Sequence, residues 1–177
     1  MVSFKAEIAA ETVIHAEPER VWRILLDVRT YSEWNRFMLV VQGEILPGHS
    51  LSVQARLSNL LRLRFDATIT ELEPPWRLTW VGRLPVPGLF TGVHTFGLKR
   101  VPEGVRFVQS ERYSGLLVPL MRRFLIDPSE SGFRAMNEAL RVRAEHEAAL
   151  EASPREHHFD GKGPKAFTEG GNDGGKT

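Results

Sequence analysis

Residues 51–84 read LSVQARLSNLLRLRFDATITELEPPWRLTWVGRL, and their pattern is the strongest indication of the fold. Apolar and polar side chains alternate over Leu51–Leu57 and alternate again over Leu63–Ile69. Such alternation is typical of β-strands that bury one face and expose the other. A third strand follows the turn at Leu72–Pro75. The stretch therefore predicts three antiparallel strands joined by two hairpins.

The register of these two hairpins follows from the requirement that apolar side chains of paired strands share one face. For the first hairpin we predict that Leu57 pairs with Leu63, which makes the shared face wholly apolar. For the second we predict that Glu71 pairs with Trp76 across the proline turn. One face of the sheet then belongs to the core, and arginines and threonines occupy the other.

A third hairpin is predicted from Thr91–Arg100 and Val105–Gly115, with its turn at Val101–Gly104. A shift of one residue would turn arginines into the core, so the register that pairs Val101 with Gly104 is preferred. This register predicts three facing pairs: Leu98 with Phe107, Phe96 with Gln109, and His94 with Glu111.

Helical signals precede the run of strands. Phe4–Ile14 is an extended segment, and Pro18 then stands where a helix begins, because proline is tolerated at the first helical position. A second short helix is predicted over Thr30–Trp34, which shows neither strand alternation nor a turn glycine. Two short helices are therefore expected after the first strand.

Helical signals return at the end of the chain. Leu116–Ile126 predicts a short apolar helix broken at Pro119, followed by a restart at Asp127, a residue that favours the N-cap position. Apolar residues then recur at helical spacing from Phe133 to Leu140. A long amphipathic helix of about 20 residues is predicted here.

Together the elements predict an α+β fold, in which a curved antiparallel sheet of about seven strands wraps around the long C-terminal helix. This domain is expected to cover residues 1–152. Residues 153–177 carry six glycines and few apolar side chains, so their composition predicts a disordered tail.

Composition excludes several functional classes. The chain of 177 residues has no cysteine, which rules out thiol nucleophiles, iron–sulfur clusters and cysteine-based zinc sites, and we predict no metal site and no cofactor. Its 23 basic and 22 acidic residues are interspersed and give no reason to expect a nucleic-acid or anionic-membrane partner. The apolar run Leu116–Met121 is too short to span a bilayer, and Met1–Glu7 lacks signal-peptide features. We therefore expect no integral membrane association and a cytoplasmic location.

Five segments carry a resemblance to a known family: Ile14–Trp22, Tyr31–Asn35, His94–Phe96, Gln109–Glu111 and Gly132–Leu140. Together they resemble the SRPBCC (START-like, helix-grip) superfamily, within its polyketide cyclase/dehydrase and lipid-transport branch. The resemblance implies a hydrophobic cavity between the sheet and the C-terminal helix, which would hold a lipid-like or polycyclic molecule. Members of this superfamily range from binders and carriers to cyclases and hydrolase-like enzymes.

His94 and Glu111 are the candidate catalytic pair, because a carboxylate facing an imidazole fixes its tautomer and tunes it as a general base. The alternative is a buried polar pair that only satisfies its own hydrogen bonds. The apolar members of the candidate set, taken by themselves, are more often ordinary core than the wall of a ligand site. Trp34 lies at a helix-to-strand junction, where it is either a packing anchor or part of a cavity mouth. The predicted ligand-binding residues are Trp34, Phe65, Trp80, His94, Phe96, Gln109, Glu111, Tyr113, Phe133 and Met136.

Three functions follow from this sequence. The first is binding of a hydrophobic small molecule in the cavity. The second is an enzyme of the polyketide cyclase/aromatase kind, in which His94 and Glu111 transfer protons. The third is a regulatory or stress protein that acts through a protein partner. Serine-hydrolase, phosphate-loop and zinc-protease motifs are absent from the sequence. The sequence does not determine the identity of the ligand, whether the protein turns a substrate over, or its oligomeric state.

Overall fold

The computed structural model describes residues 3–152, and its centre is one seven-stranded antiparallel sheet. The elements in chain order are β1 (Phe4–Ile14), α1 (Pro18–Leu26), α2 (Tyr31–Trp34), β2 (Met38–Gln42), β3 (Ser50–Arg56), β4 (Arg62–Glu73), β5 (Arg77–Arg83), β6 (Thr91–Val101), β7 (Gly104–Gly115), α3 (Val118–Met121) and α4 (Asp127–Ala152). The strands follow one another across the sheet in the order β1-β7-β6-β5-β4-β3-β2.

The predicted α+β architecture is confirmed. The sheet curls around α4, and two short helices follow the first strand. Alternate residues of β6 and β7 point to the concave face, which buries the core together with one stripe of α4. The predicted tail, residues 153–177, lies outside the described residues. On the side of α4, the stripe consists of Phe133, Met136, Leu140 and Ala144, all fully buried.

The predicted register of the β6–β7 hairpin is confirmed, but the register of the β3–β4 hairpin is wrong by two residues. Leu63 faces Ala55 and not Leu57. The reason lies in the turn, where Leu57 donates its amide to the carbonyl of Leu61 at 2.9 Å and Ser58 accepts two further amides. Because the error is an even number of residues, each side chain keeps its face.

The register of the β4–β5 hairpin also differs from the prediction. Glu73 pairs with Arg77 beside the turn, and Trp76 belongs to the turn itself. The pairing then shifts at Thr70, an extra residue that forms a β-bulge. As a result Ile69 faces Trp80, two positions from the predicted partner.

The C-terminal helix is longer than predicted. α3 runs into α4 through a π-helical turn at Arg122–Ile126, so the helical segment is continuous. Pro119 lies in the first turn of α3 and breaks nothing. Asp127 is not a cap, because it has helical backbone angles and its amide binds the carbonyl of Arg122. The break that the sequence predicts before Asp127 is therefore a π-helical turn within one helical segment, and the helix does not end there.

The C-terminal end of α4 is held against α1. Arg20 donates to both carboxylate oxygens of Glu151, at 2.8 and 2.6 Å, and Arg23 donates to Glu147 at 3.0 Å. The hydrogen bonds from Arg20 lower the pKa of Glu151. Within residues 3–152, none of the helices combines the length and apolar character that crossing a bilayer requires.

Candidate ligand-binding site

His94 and Glu111 meet on the concave face of the sheet. They occupy directly opposed positions of β6 and β7, as predicted, and Nδ1 of His94 lies 3.4 Å from Oε2 of Glu111. The imidazole is 3% exposed, whereas the Glu111 side chain is 18% exposed. The carboxylate therefore joins a buried ring to the solvent.

Two more polar side chains complete a chain of contacts that we call the buried network: Gln109, His94, Glu111 and Tyr113. The Tyr113 hydroxyl donates to Oε2 of Glu111 at 2.9 Å. At the other end, Nε2 of Gln109 lies 3.3 Å from Nε2 of His94. With the amide as donor, Nε2 of the imidazole is the acceptor and the ring proton sits on Nδ1, facing the carboxylate.

Tyr113 keeps its proton. Burial raises the pKa of this phenol, and the nearby negative charge of Glu111 and the hydrogen bond to that carboxylate raise it further. The side chain is 2% exposed. Tyr113 is therefore a fixed hydrogen-bond donor to Glu111 across the physiological pH range.

Gly92 makes room for the carboxylate. It faces Tyr113 across the β6–β7 ladder, and a Cβ atom at this position would lie 2.6 Å from Oε1 of Glu111. Any larger residue would force the carboxylate away. The absence of a side chain at position 92 is thus part of the geometry of the network.

Aromatic rings enclose the imidazole of His94. Trp80 stacks on one face, with ring centroids 4.7 Å apart and planes inclined by 6°. Phe96 and Phe133 approach edge-on at 4.8 and 5.1 Å. A polar core surrounded by apolar walls is the usual composition of a site for a small organic molecule.

The structure brings eight of the ten predicted residues together and leaves two outside the group. Phe65, on β4, is half-buried, packs against the core and lies beside Gly82 of β5, which pairs with Gly92. Trp34 lines a groove between α2 and the outward surface of α4, next to Ala139 and Val142. The eight are Trp80, His94, Phe96, Gln109, Glu111, Tyr113, Phe133 and Met136.

Asn137 was missed by the sequence prediction. This residue of α4 is 2% exposed, and neither polar atom of its side chain has a hydrogen-bond partner among the described residues. Oε1 of Gln109 is buried and unpartnered in the same way. Its spacing could have indicated burial, because Asn137 follows Phe133 by four positions and so lies on the same side of the helix.

Side chains of the protein occupy the space between the buried network and α4. Nε2 of Gln109 lies 3.6 Å from Sδ of Met136, and His94 contacts Phe133 as described above. A ligand in this space would have to displace the Met136 thioether, a flexible group that adapts to varied surroundings. Within residues 3–152, the structure brings together no group of three or more His, Asp or Glu side chains suited to a metal ion.

A curled antiparallel sheet around a long C-terminal helix is a helix-grip domain, and here its concave face carries a buried polar network. Residues 5–145 match the family model described as polyketide cyclase / dehydrase and lipid transport, and the chain belongs to that family. The resemblance to the SRPBCC superfamily is thereby confirmed. No curated protein matches the sequence.

Several solved structures share the fold. The di-domain ARO/CYC BexL from the BE-7585A biosynthetic pathway is 14% identical, with a TM-score of 0.66 over 80% of this chain and 50% of that one. Protein MLL2253 from Mesorhizobium loti is 22% identical, with a TM-score of 0.59 over 77% and 95%. TTHA0849 from Thermus thermophilus is 18% identical, with a TM-score of 0.61 over 84% and 100%. At these identities the likeness shows the fold alone.

Proposed function

We propose that the protein binds a hydrophobic small molecule, lipid-like or polycyclic, on the concave face between the sheet and α4. The observation that carries the proposal is the buried network within its aromatic enclosure, which approaches solvent through Glu111. Aromatic walls hold an apolar body, and the polar groups orient an oxygen substituent on it. The family to which the chain belongs supports the same role.

The unpartnered polar atoms indicate which substituents the ligand carries. Oε1 of Gln109 accepts a hydrogen bond, and the amide of Asn137 both donates and accepts. A buried polar atom without a partner costs about 1 to 3 kcal/mol, and a ligand group that pairs with it recovers part of that cost. A molecule with a hydroxyl or carbonyl group therefore binds more tightly than a hydrocarbon of the same shape.

The test combines thermal shift with displacement of a fluorescent probe. A panel of long-chain fatty acids and polycyclic phenols or ketones should raise the melting temperature by mass action and displace 1-anilinonaphthalene-8-sulfonate. Gln109→Leu should weaken the oxygenated ligands about tenfold and leave hydrocarbons of similar shape nearly unaffected. The matched control is Gln54→Leu, because Gln54 lies on β3 with its side chain only half-buried.

Two outcomes would contradict the proposal. The first is a panel that neither raises the melting temperature nor displaces the probe. The second is equal behaviour of Gln109→Leu and Gln54→Leu, because binding would then not involve the concave face.

A second candidate function, an enzyme of the cyclase or aromatase kind, is favoured by one feature, the contact between His94 and Glu111. In this scheme Nε2 of His94 removes a proton from the carbon next to a ligand carbonyl, and Glu111 stabilises the resulting imidazolium. The carbanion then attacks a second carbonyl of the same chain, and the resulting alkoxide takes the proton from the imidazolium of His94. The alcohol so formed leaves as water, together with a hydrogen from the neighbouring carbon, on aromatisation. Incubation with a poly-β-ketone analogue should give a product lighter by the mass of water, and Glu111→Gln should abolish that product while the analogue still binds.

A further inference from the structure

Exposed apolar side chains gather at one end of the molecule. Seven of the thirteen large apolar side chains that are exposed in residues 3–152 fall in three short segments. These segments are the β3–β4 turn, the β5–β6 loop, and the segment from the end of β7 through α3 and the π-helical turn. The seven side chains are Leu60, Leu61, Leu84, Val86, Leu116, Leu120 and Phe124.

The three segments share one end of the sheet. β3, β5 and β7 run in the same direction, so the connections that follow them all lie at the same end of the strands. Two hydrogen bonds join two of the connections directly: the amides of Leu116 and Leu117 bind the carbonyls of Gly88 and Leu89, each at 2.9 Å. We call this surface the apolar rim, defined as residues 56–64, 83–90 and 115–126.

The charges of the apolar rim all have one sign. It holds six arginines and none of the 22 acidic residues of the chain, although the net charge of the whole chain is only +1. Five of the six form no salt bridge with a described residue, and Arg122 contacts Asp127 at 3.7 Å. The unpaired five are Arg56, Arg62, Arg64, Arg83 and Arg123.

The sequence repeats the same combination in each segment. Leu60 and Leu61 precede Arg62, Leu84 follows Arg83, and Phe124 follows Arg123. Leu60 is 98% exposed at the tip of its turn, and Phe124 is 60% exposed. Apolar tips beside unpaired cations match the boundary of an anionic bilayer, where side chains enter the acyl region and arginines bind lipid phosphates.

We propose that the apolar rim docks the protein on the surface of an anionic lipid bilayer. A second copy of the chain is a poor occupant, since it would oppose six arginines with six more. Aliphatic tips are equally unsuited to nucleic acid, which is bound through phosphates and stacked bases. The proposal goes beyond ligand binding on the concave face and does not depend on it. The sequence does not show this cluster of arginines as a basic block, because the three segments of the rim are far apart along the chain.

Sedimentation of the full chain with vesicles tests the proposal. Vesicles of phosphatidylcholine with about one third phosphatidylglycerol should bind the protein at least tenfold more tightly than vesicles of phosphatidylcholine alone. Raising the salt from about 50 mM to about 500 mM should weaken this binding, because salt screens exposed charges. Arg62→Gln with Arg123→Gln should reduce the affinity at least fivefold. The matched control removes two exposed arginines outside the rim, Arg29→Gln with Arg134→Gln, and should leave the affinity nearly unchanged.

Insertion of the apolar tips is tested separately by fluorescence. Leu60→Trp should shift its emission to the blue on anionic vesicles, whereas Leu150→Trp, near the end of α4 and 62% exposed, should not. Both positions are exposed, so folding is preserved and is checked by the melting temperature. Absence of vesicle binding, or equal loss in the rim and control variants, overturns the proposal. Salt-sensitive binding without the blue shift also overturns it, because the apolar side chains of the rim would then take no part in docking.

Discussion

Nε2 of Gln109 lies 3.6 Å from Sδ of Met136, and this contact joins the buried network on the sheet to the C-terminal helix. The same amide lies 3.3 Å from the imidazole of His94. A ligand that enters between the sheet and α4 must therefore separate Met136 from Gln109. The contact thus connects the stability of the interior with access to the proposed site.

The pairing of His94 with Glu111 should be energetically coupled. Glu111→Leu removes the acceptor of both the imidazole and the Tyr113 hydroxyl, and stranding buried donors costs about 1 to 3 kcal/mol. Replacing His94 by leucine as well should recover part of this loss. Urea unfolding of the two single variants and the double variant measures the coupling. A coupling free energy near zero would show that the two side chains do not stabilise each other.

A side chain at position 92 should destabilise the protein, because it would occupy the space of the Glu111 carboxylate. The Cβ of Gly92→Ala would lie 2.6 Å from Oε1 of Glu111, so the flexible carboxylate must leave its place in the network. We expect a loss of about 1 kcal/mol in the free energy of unfolding, together with weaker probe binding.

Gly97→Ala on the same strand is the control for that variant. Its Cβ would meet only the carbonyl of Val108, at 3.9 Å. This substitution should leave both measurements nearly unchanged, because alanine is at least as favourable as glycine within a strand. Equal effects of the two variants would show that the space beside Glu111 is unimportant.

The two tyrosines of the chain, Tyr31 and Tyr113, should resist ionisation in the folded state. Burial is the main cause that raises both pKa values, and Tyr31 also donates to the carbonyl of Leu25 at 2.7 Å. Unfolded tyrosines ionise near pH 10, so the stabilisation is complete below about pH 10 and is lost as the pH rises above it. At about pH 11 the loss reaches about 1.4 kcal/mol per tyrosine.

Ultraviolet absorbance of tyrosinate measures this effect. The native protein should show no tyrosinate until it unfolds, whereas protein in guanidinium chloride should titrate both groups near pH 10. Tyr113→Phe assigns the signals, because only Tyr31 then remains. A native midpoint near pH 10 for either group would mean that this phenol is accessible to solvent.

The sequence predicts strand pairing correctly where only one register keeps charged side chains out of the core. The β6–β7 register is correct because a shift of one residue would bury Arg106 and Arg112, which the structure leaves exposed. The β3–β4 prediction fails because a shift of two residues leaves every face unchanged. The β4–β5 prediction is wrong by three residues beside the turn and by two beyond the bulge, because the extra residue in β4 changes the register along the hairpin. Only the turn hydrogen bonds at Leu57 and the bulge at Thr70 select the observed pairing.

The site is predictable to the extent that its members lie on strands. His94 and Glu111 meet because hairpin pairing follows from the chain itself. The surroundings of Trp34 could not be predicted, because they depend on how α2 packs against α4, a contact between distant parts of the chain. Asn137 was missed because a polar residue on a helix is usually assigned to solvent.

Methyl NMR of Met136 shows whether a ligand binds between the sheet and α4. The chain has four methionines, so labelling their methyl carbons gives few signals, and Met136→Leu assigns the one that matters. Ligands that raise the melting temperature should shift the Met136 signal in a saturable way, with the affinity found by probe displacement. Met38, buried on β2, is the internal control and should move little. If such ligands leave the Met136 signal in place, they bind elsewhere and the account is contradicted.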